Sequence, residues 1–184
     1  PKSRKVLGRT LLPISIRHRG VLEFYDSPFV TGAEPTSEDI IFAIRVMSSI
    51  DKDDMHKTPT DEELAYAIIL NKDEKSKEDL IEQIRKHIEE NSNWPIFWEK
   101  DGGAASNGIP WHMNVISNLV RNGISYEQAW TMPEAEAIWM YASNLAHEGS
   151  DVRIVSDEDE EAMASHRKAL EEMKKQQEEL NKNV

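Results

Sequence analysis

The sequence predicts a mainly α, multi-helix globular protein with short strands at most and a charged C-terminal helix. Three observations carry this expectation. Helix start signals recur along the chain, each a Ser or Thr followed three residues later by an acid or a glutamine. Behind them the apolar residues return at three- and four-residue spacing instead of alternating. The chain closes on a run of charged helix formers with apolar residues seven apart.

Residues 1–20 read as a basic N-terminal arm. They hold six of the 22 Lys/Arg and no acid, which leaves 16 Lys/Arg against all 34 Asp/Glu for the rest of the chain. An acidic body repels nucleic acid, because binding phosphate requires neutralising cations. Nucleic acid is therefore excluded as a partner except through this arm, which is otherwise a disordered, solvated segment.

Residues 21–98 read as an N-terminal helical lobe. It opens on "VLEFY" (Val21 to Tyr25), whose branched and aromatic residues suggest a short strand. "PTSEDIIFAIRVMSSI" then starts a helix at Thr36, with Asp39 three residues on and Ile40, Ala43, Ile44 and Met47 sharing a face. "TDEELAYAIIL" repeats the device from Thr60 and Glu63, with Leu64, Ala67 and Ile68 facing inward. "SKEDLIEQIRKHIEE" starts again at Ser76 and lays out a stripe of Leu80, Ile81, Ile84 and Ile88. In "NWPIFWEK", Trp94, Phe97 and Trp98 fall three and four residues apart. Stacking on bases needs a basic surround, and the flanks here are acidic. These aromatics read as a core cluster or a protein-binding patch.

Residues 99–108, "EKDGGAASNG", read as a Gly-rich hinge. A phosphate loop would place Gly-Lys-Ser/Thr at its end, whereas Ile109 and Pro110 follow Gly108. Residues 109–155 read as a C-terminal helical lobe. There Ser125 caps a short helix that ends before Pro133, because the residue before proline is pushed out of helical geometry. Pro133 opens the next helix, where its missing N–H costs nothing. Ala135, Ile138, Trp139, Ala142, Leu145 and Ala146 share one face, Gly149 ends the helix, and Trp130 and Trp139 read as packing residues. "VRIV" (Val152 to Val155) suggests a second short strand.

Residues 156–184 read as a charged C-terminal helix. Met163, Leu170 and Gln177 are seven apart, as are His166, Met173 and Leu180. This is a thin heptad seam. Such a helix either frays in solvent or completes itself on a partner, with its methionines as adaptable contacts. Candidate partner-binding residues are thus Trp94, Phe97, Trp98, Met163, Leu170, Met173 and Leu180.

No catalytic, cofactor or metal residue is expected. Cysteine is absent, which excludes thiol nucleophiles and thiolate metal sites. His147 and Glu148 lack the second histidine of a zinc helix. "DKDDMHKTPTDE" has Met55 and His56 where a calcium loop needs an oxygen ligand and a glycine. No apolar run nears the roughly 20 residues that span a membrane, and "LLPISI" is too short for a signal-peptide core.

The stretch "IPWHMNVISNLVRNGISYEQAWTMPEAEAIWMYASNLAHEG" resembles the tail assembly chaperones and related small assembly proteins of long-tailed bacteriophages. The similarity lies in a Pro-led second helix rich in Ala and aromatics that ends on Glu-Gly: Trp130, Met132, Pro133, Glu134, Ala137, Trp139, Glu148 and Gly149. It extends loosely over residues 21–155, through "PTSEDIIFAIRVMSS" and "WPIFW". The resemblance implies a non-enzymatic phage morphogenesis protein without cofactors, acting in the host cytoplasm. Its partner would be a helical phage tail or virion protein such as a tape-measure protein, with self-association open. Two alternatives remain at this point: a structural component of the virion (connector, decoration or tail), and an acidic inhibitor that mimics nucleic acid toward a host protein.

Overall fold

The computed structural model describes residues 2–94, 97–99, 109–150, 152–155, 159 and 165. It is mainly helical, with nine helices and two two-stranded sheets among the described residues.

Residues 2–20 are not a solvated arm. β1 (Arg4–Val6) and β2 (Arg9–Leu11) form an antiparallel hairpin in which Val6 faces Arg9 across a two-residue turn. Leu7 and Gly8 both take left-handed backbone, φ 49° and 74°, as the twist of a tight hairpin requires. Val6, Leu11 and Ile14 are buried. The Leu12 N–H donates to the Met47 carbonyl at 2.8 Å, and Lys2 and Asn91 exchange two hydrogen bonds at 2.9 and 3.0 Å. The basic character has an internal use. Arg4, Arg9, Arg17 and Arg19 each pair with a glutamate far along the chain: Glu90, Glu63, Glu127 and Glu134. Counted alone these cations suggest a phosphate contact, but the chain's own carboxylates take them up.

The segment that reads as a strand is helical. α1 (Ile16–Phe24) begins at Ser15, whose hydroxyl accepts from the His18 N–H, while the His18 Nδ1 accepts from the Ser15 N–H. Histidine thus fills the place that Glu or Gln holds in the usual capping box. The helix cap and burial of Val21 and Leu22 outweigh the strand preference of "VLEFY". α2 (Pro28–Thr31) is one turn, with proline at its first position and Gly32 left-handed at its end, φ 80°.

α3 (Ser37–Met47) is the central helix. Its capping box of Thr36 and Asp39 forms as expected, and Ile40, Ala43, Ile44 and Met47 are buried. Burying a side chain the size of Ile or Met contributes about 1.5–3 kcal/mol. α4 (Lys52–His56) shows why the acid cluster around it is no calcium loop. Asp51 caps the helix by accepting the Asp53 N–H, and Met55 points into the core. α5 (Asp61–Leu70) also has its expected box of Thr60 and Glu63. Its inward face differs, however: Ala67 and Leu70 are buried, while Leu64 and Ile68 are exposed. α6 (Glu74–Asn91) starts two residues before Ser76 and is capped by Asp73, which accepts from the Ser76 N–H. Leu80 and Ile84 are buried, and Ile81 and Ile88 pack at the edge of the core.

In the second half, α7 (Trp111–Arg121) and α8 (Tyr126–Thr131) precede α9 (Glu134–His147). Ser125 caps α8 through the Gln128 N–H, and Met132 is extended, φ −65°, ψ 153°. Pro133 is the residue that caps α9, one place before its first turn. Gly149 closes α9 in left-handed geometry, with its N–H on the Ala146 carbonyl and the Ser150 N–H on that of Leu145, which is a Schellman stop. The expected inward face of α9 is shifted. Ala137, Ile138 and Ala142 are buried, whereas Ala146 is exposed and Trp139 is 46% exposed. β3 (Phe97–Glu99) pairs antiparallel with β4 (Val152–Ile154), the strand expected from "VRIV".

Two apolar clusters result. One joins the hairpin, α3, α4 and α6 around Leu11, Met47 and Ile84. The other joins α7, α8 and α9 around Ile116, Leu119 and Ala129. Helix α1 serves both, giving Val21 and Leu22 to the first and Ile16 to the second. Between them lies a buried polar seam. Arg19 donates to the fully buried Glu134 at 3.0 Å and to the Ser92 hydroxyl at 2.7 Å, and the Glu134 N–H donates to the Ile14 carbonyl at 2.7 Å.

Two buried histidines bolt the first residues of the chain to the first cluster. The His18 Nε2–H donates to the Ser49 carbonyl at 2.7 Å and the His87 Nε2–H to the Leu12 carbonyl at 2.9 Å. Burial lowers both pKa values below 6.5, although the carbonyl contacts oppose it. The folded state therefore holds these rings neutral, and the unfolded chain binds more protons once pH falls below about 6.5. Stability is full above that value and is lost as pH drops toward the depressed folded values. We expect the urea midpoint to fall between about pH 7 and pH 5.5, and the fall to be smaller in His18→Gln. A midpoint flat over this range would contradict the assignment.

Candidate functional site

A broad cleft of ≈ 760 Å³ lies between α1, α4, α7 and α8. Arg17, Gly20, Val21 and Phe24 form one wall; Ile50, Asp51, Lys52 and His56 form another; His112, Tyr126, Glu127 and Trp130 close it. The helical period explains the first wall, since positions 17, 20, 21 and 24 lie on one face of α1. Gly20 leaves the floor open. A Cβ there would rest 3.7 Å from Trp130 Cζ3, an ordinary contact, so glycine widens the cleft without being required by the backbone.

The cleft is aromatic. Phe24 is 75% exposed and meets Tyr25 edge-on at 5.0 Å and His56 at 6.4 Å. The Tyr25 hydroxyl shares a hydrogen bond with His56 Nδ1 at 3.1 Å. On the far wall His112 lies 5.7 Å and Tyr126 6.1 Å from Trp130. Such edges and faces gain about 0.5–1.5 kcal/mol per pair beyond burial, so the walls are shaped before anything binds. Across the cleft, Arg17 holds Glu127 through two hydrogen bonds of 2.7 Å and reaches the Ile50 carbonyl at 3.1 Å. The guanidinium beside Glu127 holds its carboxyl below the usual range. Glu23 receives the Trp111 indole N–H at 3.4 Å and stands 3.7 Å from His112 Nδ1, which is buried without a hydrogen-bond partner among the described residues.

Chemically the cleft offers a mainly apolar contact surface. Arg17 and Glu127 at its edge are engaged with one another, and the surface inside is largely ring and aliphatic carbon. A carboxyl shifted the other way, Glu134, is raised by burial, with Arg19 and Ser92 pulling it back. It is enclosed within the seam and does not line the cleft. Among the described residues no group of three or more His, Asp or Glu is placed to hold a metal, and no helix is long and apolar enough to cross a membrane.

Of the residues singled out from sequence, Trp94 does not line the cleft. Trp94 is half-buried just beyond α6. Phe97 and Trp98 belong to β3, paired with Ile154 and Arg153, so their spacing is not helical. Their side chains, and Met163, Leu170, Met173 and Leu180, lie outside the described residues. Sequence reasoning missed the cleft because its walls come from four helices, and its α1 wall reads as a strand. The signal that could have found it is Ser15 followed by His18, an N-terminal cap with histidine in place of glutamate. No family model, curated protein or solved structure matches the chain.

Proposed function

We propose that this chain is a non-enzymatic phage morphogenesis protein of the tail-assembly-chaperone type, and that it shields an apolar helical segment of a tape-measure-like partner in the aromatic cleft. The observation that carries the reading is the cleft itself: preformed, open, lined by Phe24, Tyr126 and Trp130, and edged by the paired charges of Arg17 and Glu127. A groove of this kind takes an amphipathic helix by anchors three and four residues apart. The net charge of −12 selects a partner whose anchors are flanked by Lys or Arg, and it keeps the complex soluble. The sequence resemblance points to the same class of partner.

The test is co-expression with a helical tape-measure-like protein, sought as a long reading frame neighbouring that of this chain. The partner should be soluble only in the presence of this chain. Phe24→Ser and Tyr126→Ser change exposed rings and should leave the melting temperature nearly unchanged. Together they should weaken binding by at least about tenfold. Binding that survives both changes would remove the cleft from the mechanism. A partner that is soluble alone would remove the chaperone role.

A further inference from the structure

We propose that the outward face of α5 pairs with the same face of a second copy of this chain, antiparallel, about a two-fold axis. Helix α5 touches its own fold through Ala67 and Leu70 and through Glu63, which binds both Arg9 and Arg45. At about 3.6 residues per turn, the opposite side of the helix carries Asp61, Ala65, Ile68 and Ile69, and Lys72 follows on that side just past the Asn71 cap. Ile68 and Ile69 are 59% and 63% exposed, and Leu64 and Tyr66 extend the apolar surface on either flank. Single exposed apolar residues are ordinary, whereas a contiguous patch of this kind marks a contact.

The stripe is its own complement. Laid antiparallel on a copy of itself, Asp61 falls opposite Lys72, Ala65 opposite Ile68 and Ile69 opposite Leu64, so a small residue receives Ile68 on either side of the axis and the larger apolar side chains meet beside it. A two-fold contact demands this reciprocity. The neighbouring charges are already engaged: Glu63 with its two arginines, Asp73 at the cap of α6, and Glu74 with Lys77. Among the described residues Asp61 and Lys72 make no ion pair, and they stand at opposite ends of one stripe with opposite sign. None of the residues lining the aromatic cleft comes from α5, so pairing leaves that cleft open and this inference stands apart from the proposed function. A helix of about 15 Å offers a small interface, and the dimer is therefore weak and reversible.

Sedimentation velocity of the full chain from micromolar to millimolar concentration tests it. Wild type should shift from monomer to dimer. Ile68→Glu should weaken the dimer by about tenfold or more while its circular dichroism and melting are unchanged. Asp61→Lys and Lys72→Asp should each weaken self-association several-fold, because each sets like charges opposite one another. An equal mixture of those two variants should regain it, since the two cations of one stripe then meet the two anions of the other across the axis. A monomer at every concentration, a dimer indifferent to Ile68→Glu, or a mixture no tighter than its parts would each overturn the proposal, and would leave the face to a different protein.

Discussion

Arg19→Ala is expected to cost about 3–5 kcal/mol at pH ~7, the range for removing one partner of a buried ion pair. Glu134 is fully enclosed, and Arg19 supplies its charge partner at 3.0 Å. Without that guanidinium the carboxylate keeps Ser92, whose hydroxyl is 3.5 Å away. The loss should depend on pH in a defined direction. Burial already raises the Glu134 pKa above 4.5, and Arg19 lowers it in part. In the variant the folded value rises further, so the acid is neutral over a wider range. A raised folded value gives a contribution that is full below the unfolded pKa and lost as pH rises through the folded one. The variant should therefore approach wild type as pH falls toward 4.5 and diverge from it as pH rises to neutrality. Urea melts at about pH 5 and pH 7 measure both arms. Arg19→Ala combined with Glu134→Leu should recover most of the loss, since an apolar pair leaves no orphaned charge. A difference under about 1 kcal/mol at neutral pH, typical of solvent-screened pairs, would show that water reaches Glu134.

The second large effect concerns the residues that composition assigns to a solvated arm. Deleting residues 2–13 should prevent folding altogether, and Leu11→Ala should cost about 2–5 kcal/mol. Leu11 has no exposed surface, and the hairpin also supplies Val6. The deletion removes the Leu12 carbonyl that receives the His87 ring and the Leu12 N–H that binds Met47. Buried polar groups left without partners cost about 1–3 kcal/mol each, on top of the lost apolar burial. Cooperative thermal unfolding of the shortened chain near the wild-type temperature would show that the hairpin is dispensable.

Cap signals along the chain translate into local structure except at Ser76, where Asp73 three residues earlier takes the cap of α6. Thr36, Thr60 and Ser125 cap the helices they are expected to cap, because a cap is settled within four residues. Orientation is less legible. In "ELAYAIIL" every position after the glutamate is apolar or aromatic, so periodicity does not say whether Leu64 and Ile68 or Ala67 and Leu70 face inward. Packing against α3 and α6 decides for the latter. The size and spacing of Trp139 suggest the core, yet the packing of α9 on α7 turns Ala137, Ile138 and Ala142 inward instead. The strand expected at Val21 to Tyr25 fails because propensity is a weak prior beside a cap at Ser15 and burial on two sides. Arg4, Arg9, Arg17 and Arg19 look like free cations because their acids lie 54 to 115 residues away, beyond the reach of any window read along the chain. The cleft is illegible for the same reason: no single helix contains it.

The tie between the start of the chain and its middle also governs how the molecule is made. Lys2 is held by Asn91, 89 residues later, and Arg19 by Glu134, 115 residues later. At synthesis rates of about 5–20 residues per second, the hairpin is made roughly 5–20 s before Asn91. During that interval Val6, Leu11 and Ile14 lack the cover that α6 helps to provide. The hairpin is thus secured only once α6 has been made, so a stall in translation before α6 is complete leaves these apolar residues uncovered on the ribosome.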